Sequence, residues 1–369
     1  MAGGWFGFED AIGPERVIHF WNERAGLEAA VVVDNTACGP AIGGVRMGPE
    51  VTIEECFRLA RAMTFKNAAA GLRHGGGKAV IRADPAMPRE AKERLIRAFA
   101  QAIRDLTAYV PGPDMGTDER VMAWIRDEIG RAVGLPRELG GIPLDEIGAT
   151  GTGLAAACEV ACRHAGIGLA GARVAIQGFG AVGRHAASRL AERGCRIVAV
   201  SDSRGTILRE DGLDLAALLA HKAAGGGVAS FAGGRAASVE AIVGVPCEIW
   251  IPAARPDVVH EGNVGQLQAR MVVSGANIPI TAAAEAQLHE RGVLLVPDFI
   301  ANAGGVICAA VEYAGGTETE ALSMIRERIG ANTEAVLTRA RDEQITTRRA
   351  AEALARERVE RATAYRRFR

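Results

Sequence analysis

The chain lacks several features that would assign it to a particular class of protein. Its 369 residues contain no uninterrupted apolar run of about 18 residues, which a membrane-spanning helix needs. A formal net charge of −1 provides no basic surface of the kind that binds nucleic acids or anionic membranes. Residues 1–11 carry no basic segment ahead of an apolar core, so we expect no secretory signal. These absences predict a cytoplasmic protein with neither nucleic acid nor membrane as a partner.

Cysteine is also sparse, and its placement argues against a disulfide framework. The seven cysteines are scattered and odd in number, which is typical of reduced thiols in a cytoplasm. Cys158 and Cys162 would share one face of a helix, but no neighbouring cysteine or histidine completes a metal-binding set. The seven histidines show no ligand spacing either. We therefore predict no metal site.

Lysine is rare among the cations of this chain. The 43 basic side chains comprise 39 arginines and only four lysines, Lys66, Lys78, Lys92 and Lys222. Lys66 and Lys78 flank the glycine run Gly75–Gly77, and a short strand predicted at 79–81 would place Lys78 where a loop enters a sheet. A lysine ammonium is compact and can lose its proton on burial, whereas a guanidinium stays charged. The pair predicts a site of proton transfer or of a confined point charge; two surface lysines retained by chance are the alternative.

A single aspartate stands in a segment that predicts a rigid loop. Residues 109–119 contain two prolines and two glycines, and Asp114 lies among apolar neighbours. Asp118 is placed to cap the helix predicted over 119–129, the usual duty of an aspartate at a turn. Asp114 has a less obvious structural duty, so we interpret it as a candidate functional carboxylate.

The first part of the chain mixes predicted strands and helices. Leu27–Val33 is a valine-rich apolar run typical of a buried strand. The pair Gly43 and Gly44 marks a close approach of backbone to a ligand or to a neighbouring strand. Thr52 begins a capping box that starts a helix. The glycine- and proline-rich residues 136–143 predict the first domain boundary.

A glycine motif follows this boundary in the setting that dinucleotide binding requires. The predicted strand over 173–177 leads directly into the spaced glycines Gly178, Gly180 and Gly183, and a helix, a second strand and Asp202 come next. Glycine permits the tight turn and lets a pyrophosphate approach the free N–H groups of a helix N-terminus. The carboxylate of Asp202 can accept hydrogen bonds from the adenosine ribose. A glycine-rich turn without a ligand is the alternative.

The remainder of the chain predicts an α/β pattern. Apolar strands within 247–252, 271–273 and 293–296 alternate with helices, and ligands of the resulting parallel sheet bind at the carboxyl ends of its strands. Residues 322–365 are helical and rich in arginine. Because glutamates alternate with those arginines, we interpret this segment as a solvated helix face rather than as a nucleic-acid-binding arm.

Five segments together resemble the glutamate/leucine/phenylalanine/valine dehydrogenases, and the resemblance spans nearly the whole chain: 39–47, 63–78, 111–119, 178–183 and 302–306. It implies reversible oxidative deamination of an L-amino acid to a 2-oxo acid and ammonia, with a nicotinamide cofactor. It also implies an α/β fold: a substrate domain with a mixed sheet over 1–140, completed by helices in 325–369, and a Rossmann-like dinucleotide domain with a mainly parallel sheet over 145–320. A homo-oligomer is implied as well.

The resemblance implies roles for individual residues. Lys66 would bind the substrate α-carboxylate, Lys78 would be the catalytic lysine, and Asp114 would carry protons to and from the amino nitrogen. Further substrate contacts are expected from Ile42, Gly43, Gly44, Met63, Gly112, Asn302, Val306 and Ala309. Cofactor contacts are expected from Thr150, Gly178, Gly180, Ala181, Val182, Gly183, Asp202, Ser203, Arg204, Ala253 and Asn277.

The expected substrate is an apolar L-amino acid of the leucine, valine or phenylalanine type. The glutamate branch of the family holds the side-chain carboxylate of its substrate with a lysine and a serine, at positions that Ile42 and Ala309 occupy here. A carboxylate left against apolar groups costs several kcal/mol. Residues 111–128 and 201–205 instead resemble the glutamate branch, so a glutamate dehydrogenase with an atypical pocket stays open. A non-catalytic regulatory homologue also stays open, although the intact lysines and aspartate argue against it.

The expected cofactor is NAD, with NADP as the alternative. Asp202 favours NAD because its carboxylate would repel a 2′-phosphate, whereas Ser203 and Arg204 could pair with one.

Overall fold

The chain folds into two compact units, each with its own sheet. In the computed structural model, which describes residues 7–366, the first unit comprises 7–143, 306–321 and 352–366, and the second comprises 144–305 and 322–351. These boundaries differ from the expected ones near the C-terminus. Residues 306–321 join the first unit because Glu312 accepts hydrogen bonds from the Leu135 and Ile142 amides. Residues 322–351 join the second because Arg348 pairs with Glu285.

A five-stranded mixed sheet forms the centre of the first unit, as the resemblance implied. Its strands are β1 (Arg16–Asn22), β2 (Leu27–Asn35), β3 (Ala41–Gly48), β4 (Gly75–Arg82) and β5 (Tyr109–Pro113). In the order β1-β2-β4-β3-β5, β2 is antiparallel to β1 and β4, whereas β3 is parallel to β4 and β5. Successive residues of β2 face opposite sides, so Val31 and Val33 enter one apolar cluster and Ala30 and Val32 another.

Three helices of the first unit pack on this sheet: α1 (Ile53–Ala69), α2 (Arg89–Ala102) and α3 (Glu119–Ile129). Both predicted helix caps are present. Thr52 and Asp118 each accept a hydrogen bond from the amide three residues further along. Phe57 of α1 belongs to the cluster on one face of the sheet, and Phe99 of α2 and Ile125 of α3 belong to the cluster on the other.

Two segments that were expected to be loops are strands. Residues 109–113 form β5, which tolerates Pro111 and Pro113 because it lies at the edge of the sheet. β4 begins at Gly75 rather than after the glycines, so the expectation that Lys78 lies where a loop enters a sheet was wrong. The glycines permit close packing, because a Cβ on Gly76 would overlap the backbone nitrogen of Thr64 in α1.

The second unit contains a seven-stranded, mainly parallel sheet, in agreement with the expected dinucleotide-binding architecture. Its strands are β6 (Arg173–Gln177), β7 (Arg196–Asp202), β8 (Gly205–Leu208), β9 (Arg235–Ala237), β10 (Ile249–Pro252), β11 (Met271–Val273) and β12 (Leu294–Val296). The order is β12-β11-β10-β6-β7-β8-β9; β8 is antiparallel to both of its neighbours, β7 and β9, and all other neighbouring strands are parallel. The chain passes from β6 to β7 on one side and later to β10 on the other. This reversal is the topological switch point at which ligands of such sheets bind.

The remaining helices are α4 (Ala149–Ala165), α5 (Ala181–Ala191), α6 (Leu215–Ala223), α7 (Ala282–Glu290), α8 (Asp298–Ala301), α9 (Gly304–Tyr313), α10 (Glu318–Glu343) and α11 (Thr347–Thr363). The core of the second unit is centred on Trp250, which is fully buried and donates from Nε1 to the Ile242 carbonyl at 3.0 Å. Between residues 7 and 366, no helix is long and apolar enough to cross a membrane.

The close fit of α1 on β4 leads to a stability prediction. Gly76→Ala would place a methyl group against the Thr64 backbone, so we expect a loss of about 1–3 kcal/mol in the free energy of unfolding. Gly265→Ala is the matched control, because a Cβ at that position meets no atom within 4 Å. Urea-denaturation curves measure the difference. Equal stability of the two variants would contradict the packing assigned to Gly76.

Candidate active site

Lys78 is a buried lysine in the centre of the first sheet. It lies in β4 between β2 and β3, and only 5% of its surface is exposed. Its Nζ donates a hydrogen bond to Oδ2 of Asp114, which follows β5 directly. The two residues are 36 positions apart in sequence and meet because β3 pairs with both β4 and β5. The structure therefore joins the lysine and the carboxylate that the sequence singled out.

The turn after β5 holds Asp114 in place. The Asp114 amide donates to Thr117 Oγ1 at 2.9 Å, and that hydroxyl donates to the Val45 carbonyl of β3 at 2.8 Å. The carboxylate Oδ1 accepts a hydrogen bond from the Met115 amide at 2.6 Å. Gly44 provides the space, because a Cβ there would lie 2.8 Å from the Cβ of Asp114. Gly44 was expected to contact the substrate, and the structure gives it a second role: it leaves the space that the Asp114 side chain occupies.

Arg46 is a member of this cluster that the sequence reasoning missed. Its Nη2 donates to Asp114 Oδ1 at 3.3 Å, and its Nη1 donates to Glu55 Oε1 of α1 at 2.5 Å. Gly44 and Arg46 are two residues apart on β3 and so share one face of the strand. This two-residue spacing could have identified Arg46, because the face of β3 that places Gly44 against Asp114 also carries Arg46.

The environment of Lys78 lowers its pKa from 10.5 to about 8. Removal of the ammonium from water is the largest cause, and the positive charges of Arg46 and Lys66 add to it. The influence of Lys66 places the two predicted lysines within electrostatic range of each other. Lys78 therefore exchanges its proton much closer to neutral pH than an exposed lysine does.

Lys66 occupies the last turn of α1 and is half-buried. The neighbouring Asn67 fixes this end of the helix, since its Nδ2 donates to the Gly75 carbonyl at 2.6 Å and to the Ile42 carbonyl at 3.4 Å. Asn67 is fully inside the protein and was also missed, because nothing in the sequence near it identifies its strand partners.

Ile42 and Ala309, the residues on which the substrate expectation depended, lie together. They pack in one apolar cluster with Val110 and Val133. A Cβ on Gly112 would lie 3.2 Å from Cγ2 of Val133, so Gly112 borders the same cluster. Gly43 instead lies against β4, where a Cβ would overlap the Gly77 carbonyl. The two remaining predicted contacts of this unit, Met63 and Val306, are half-buried and lie outside the cluster.

The glycine turn of the second unit fits a dinucleotide. Gly180 precedes α5 without a side-chain cap, and a Cβ on it would meet no atom within 4 Å, so the turn faces open space. A Cβ on Gly183 would overlap the Gly178 carbonyl, which explains the third glycine of the motif. The first amides of α5, from Ala181 and Val182 onwards, are therefore available to a pyrophosphate.

Asp202 ends β7 as predicted, but its carboxylate is already engaged. Oδ2 accepts from Lys222 Nζ at 2.8 Å and from the Val228 amide at 3.0 Å, and Oδ1 accepts from the Arg204 amide at 2.8 Å. Partial burial opposes ionisation, but these hydrogen bonds outweigh it and lower the pKa of Asp202. Lys222 was not predicted at this place. Ser203 and Arg204 are exposed beside it.

The other predicted cofactor contacts lie in the second unit, and so does Asn302, which was expected to hold the substrate. Asn302 Nδ2 donates to Asn277 Oδ1 at 2.9 Å, whereas Asn302 Oδ1 is buried without a hydrogen-bond partner. An orphaned buried oxygen beside an exposed asparagine is consistent with a ligand that donates to it. Thr150 lies in the first turn of α4, and the Ala253 amide donates to the Gln177 carbonyl next to the glycine turn.

The first-unit cluster can perform proton transfer at a carbon that carries an amino group. In the oxidation that the resemblance implies, a bound nicotinamide supplies the hydride acceptor. The Asp114 carboxylate can accept a proton from the substrate ammonium before the hydride leaves and return it to the departing nitrogen, and neutral Lys78 can deprotonate the water that attacks the iminium carbon. The resemblance implies that Lys66 would bind a substrate carboxylate, and its half-buried ammonium can supply the positive charge. Arg46 holds Asp114 and helps to keep Lys78 close to its working pKa.

The role of Arg46 predicts a shift in pH dependence. kcat/KM for amino-acid oxidation should rise with pH about the pKa of Lys78, since the neutral amine is the base. Arg46→Met removes a positive charge that lowers that pKa, so the rising limb should move to higher pH, towards 10.5. Arg82→Met is the control, because Arg82 lies on the same strand as Lys78 but is 51% exposed and forms its ion pair with Glu28. An unmoved limb in Arg46→Met would contradict the charge coupling.

Comparison with known proteins places these observations in a family. The family model described as Glutamate/Leucine/Phenylalanine/Valine dehydrogenase matches residues 140–367, and the model described as Glu/Leu/Phe/Val dehydrogenase, dimerisation domain, matches residues 14–131. The chain is 41% identical over 352 residues to the glutamate dehydrogenase of Aeropyrum pernix, which covers 89% of this chain and 84% of the relative. It is 39% identical over 305 residues to the NADP(+)-dependent glutamate dehydrogenase of Pyrobaculum calidifontis, with coverage of 78% and 72%.

Solved structures agree with the sequence relatives. The hetero-hexameric glutamate dehydrogenase of Thermus thermophilus, in its leucine-bound form, matches with a TM-score of 0.81 and 32% identity over 95% of this chain and 89% of that one. The two matched family models together cover nearly all of the chain, including both the lysine–aspartate cluster and the glycine turn. The chain therefore belongs to the glutamate/leucine/phenylalanine/valine dehydrogenase family of NAD- or NADP-dependent oxidoreductases that act on the CH–NH2 group of amino acids.

Proposed function

We propose that this chain catalyses the reversible oxidative deamination of an L-amino acid to a 2-oxo acid and ammonia, with L-glutamate as the first candidate substrate. The observation that carries the proposal is the buried Lys78, whose Nζ donates to Asp114 and whose pKa is lowered to about 8. A lysine in that state is a base near neutral pH, and a carboxylate in contact with it completes a proton-transfer pair.

L-Glutamate is supported by the names of the relatives in Aeropyrum pernix and Pyrobaculum calidifontis, which are both glutamate dehydrogenases. A glutamate side chain needs hydrogen-bond donors in place of the lysine and serine that Ile42 and Ala309 replace. Tyr313 lies four residues after Ala309 on α9, and its ring makes an edge contact with His74 at 5.5 Å. Residues four apart share a helix face, so a hydroxyl-bearing side chain follows Ala309 on that face.

An apolar L-amino acid is the second candidate, and a specific observation favours it. Ile42, Val110, Val133 and Ala309 form a continuous apolar cluster at the positions expected to receive the substrate side chain. A leucine, valine or phenylalanine side chain gains about 0.8 kcal/mol for each methylene buried there, whereas an unpartnered carboxylate loses several kcal/mol. The two candidates therefore make opposite demands on the same four residues.

NAD is the proposed cofactor, and NADP is the alternative. Support comes from the position of Asp202 at the end of β7, since an aspartate there in a dinucleotide-binding fold can accept from ribose hydroxyls and repel a 2′-phosphate. The ammonium of Lys222, 2.8 Å from Asp202 Oδ2, weakens that repulsion, and the exposed Arg204, two residues further along the chain, is a second cation. The relative in Pyrobaculum calidifontis is named as NADP(+)-dependent. The proposed site therefore favours NAD less strongly than an unpaired aspartate would.

A cytoplasmic homo-oligomer is the proposed form of the protein. Support comes from the dimerisation-domain model, which matches residues 14–131. The number of subunits is left to measurement of the mass in solution.

A substrate panel tests the proposed function. L-Glutamate, L-leucine, L-valine and L-phenylalanine are each assayed with NAD and with NADP at alkaline pH, where Lys78 is neutral, by the absorbance of the reduced nicotinamide. We expect turnover of L-glutamate, and we expect Lys78→Arg to abolish it because a guanidinium cannot release the proton.

The other outcomes of the panel separate the alternatives. Turnover of the apolar amino acids alone would replace glutamate with the second candidate. No turnover of any amino acid by folded protein that still binds a dinucleotide would favour a non-catalytic regulatory homologue and would contradict the proposed function.

A further inference from the structure

Arg348 connects two carboxylates in the second unit. It lies in the first turn of α11, and its Nε and Nη2 donate to the two oxygens of Glu285 on α7, each at 2.6 Å. The same Nη2 donates to Oδ1 of Asp298, at the start of α8, at 3.1 Å. The Asp298 side chain is only 8% exposed, and the Glu285 side chain only 13%. Arg348 is therefore the shared cationic partner of two nearly buried carboxylates, and removing one partner of such a pair is costly.

The second oxygen of Asp298 holds a loop in an unusual conformation. Asp298 Oδ2 accepts a hydrogen bond from the Ile278 amide at 2.8 Å. Ile278 has a φ of 47°, in the left-handed region that β-branched residues rarely adopt, and its side chain is 59% exposed. The Ile278 carbonyl accepts from the Asp257 amide at 2.9 Å. The strained residue is thus fixed by hydrogen bonds to its backbone rather than by packing of its side chain.

This loop lies where the sheet receives ligands. Residues 275–278 follow β11 at its carboxyl end, and α8 follows β12 at the same edge. Asn277 precedes Ile278, and its Oδ1 accepts from Asn302 Nδ2. The Asn302 amide in turn donates to the Asp298 carbonyl at 2.8 Å. Two buried polar atoms here, Asn302 Oδ1 and Ser274 Oγ, have no hydrogen-bond partner. The Asp298 side chain therefore holds the backbone next to Asn277, and its own carbonyl contacts the Asn302 amide, beside two buried polar atoms without a partner.

We propose that Arg348 is a positioning residue for the nicotinamide half of the cofactor, acting through Asp298 on the loop that carries Asn277. The proposal rests on the proposed function, because it takes the ligand of this edge to be a dinucleotide. Without Arg348, Asp298 would be a nearly buried carboxylate with its cation removed. That side chain would then turn towards water, away from the Ile278 amide, and its hold on the amide would weaken. Ile278 could relax to negative φ and carry Asn277 with it.

The adenosine half of the cofactor should not sense this change. The glycine turn at Gly178–Gly183 and the carboxylate of Asp202 belong to β6, α5 and β7, and none of their hydrogen bonds involves Arg348, Glu285 or Asp298. The proposal therefore predicts different effects on the affinities of two ligands. NADH or NADPH, whichever the wild type binds more tightly, reports on both halves of the site, whereas ADP-ribose reports on the adenosine half alone.

Binding measurements on Arg348→Gln test the proposal. We expect the dissociation constant of the reduced dinucleotide to rise about tenfold, and that of ADP-ribose to stay unchanged, in titrations followed by calorimetry and nicotinamide fluorescence. Arg348→Lys should recover part of the loss, because an ammonium keeps the charge but cannot bridge both carboxylates as a guanidinium does. Arg173→Gln is the matched control, since Arg173 makes a comparable two-point pair with Glu248 at the amino end of β6.

A second variant tests whether Arg348 acts through Asp298. Asp298→Asn should weaken binding of the reduced dinucleotide but not of ADP-ribose. The double variant Asp298→Asn/Arg348→Gln should bind the dinucleotide little more weakly than either single variant, because both changes break the same link between Arg348 and the Ile278 amide. Unchanged dinucleotide affinity in Arg348→Gln would overturn the proposal, and so would an equal loss of ADP-ribose affinity, which would mean general disruption. Failure of the wild type to bind either ligand would instead remove the proposed function on which the inference rests.

Discussion

A buried ammonium beside a single carboxylate is the constraint on which the first unit depends. Removing Lys78 from water is costly unless its charge is matched, and Asp114 supplies the match within hydrogen-bond contact. Neither residue could reach the other if Gly44 carried a side chain, since a Cβ there would lie 2.8 Å from the Cβ of Asp114. The parallel pairing of β3 with both β4 and β5 then sets the distance between the lysine and the aspartate. The same burial makes Lys78 a base near neutral pH, because removal of its ammonium from water is the main reason that its pKa falls.

The rarity of lysine proved more informative than the sequence reasoning allowed. Lys92, which was passed over, donates to the Gly116 carbonyl at 2.8 Å and so supports the turn that holds Asp114. Lys222, also passed over, pairs with Asp202 beside the glycine turn. All four lysines of the chain thus lie at or next to the two candidate sites, whereas the other 39 basic side chains are arginines. A compact, rotatable ammonium suits each of these places, where a planar guanidinium would need more room.

Local features of the structure were predictable, and long-range partners were not. The caps at Thr52 and Asp118 depend on neighbours within four residues, so the sequence alone located them. Residues 109–113 were misread as a loop because proline and glycine mark turns locally, whereas an edge strand accepts them through its place in the sheet. Arg46 and Lys222 were missed for a related reason. Their importance comes from carboxylates 68 and 20 residues away. The order of the strands brings Arg46 to Asp114, and the packing of α6 beside the end of β7 brings Lys222 to Asp202.

The most direct test of the central claim is the titration of Lys78 itself. Protein labelled with carbon-13 at lysine Cε should give four lysine signals, because the chain has four lysines, and Lys78→Arg identifies the one that belongs to Lys78. We predict that this signal titrates with a midpoint of about 8. A midpoint at the ordinary lysine value of 10.5 would mean that burial does not lower the pKa of Lys78 and would contradict the account.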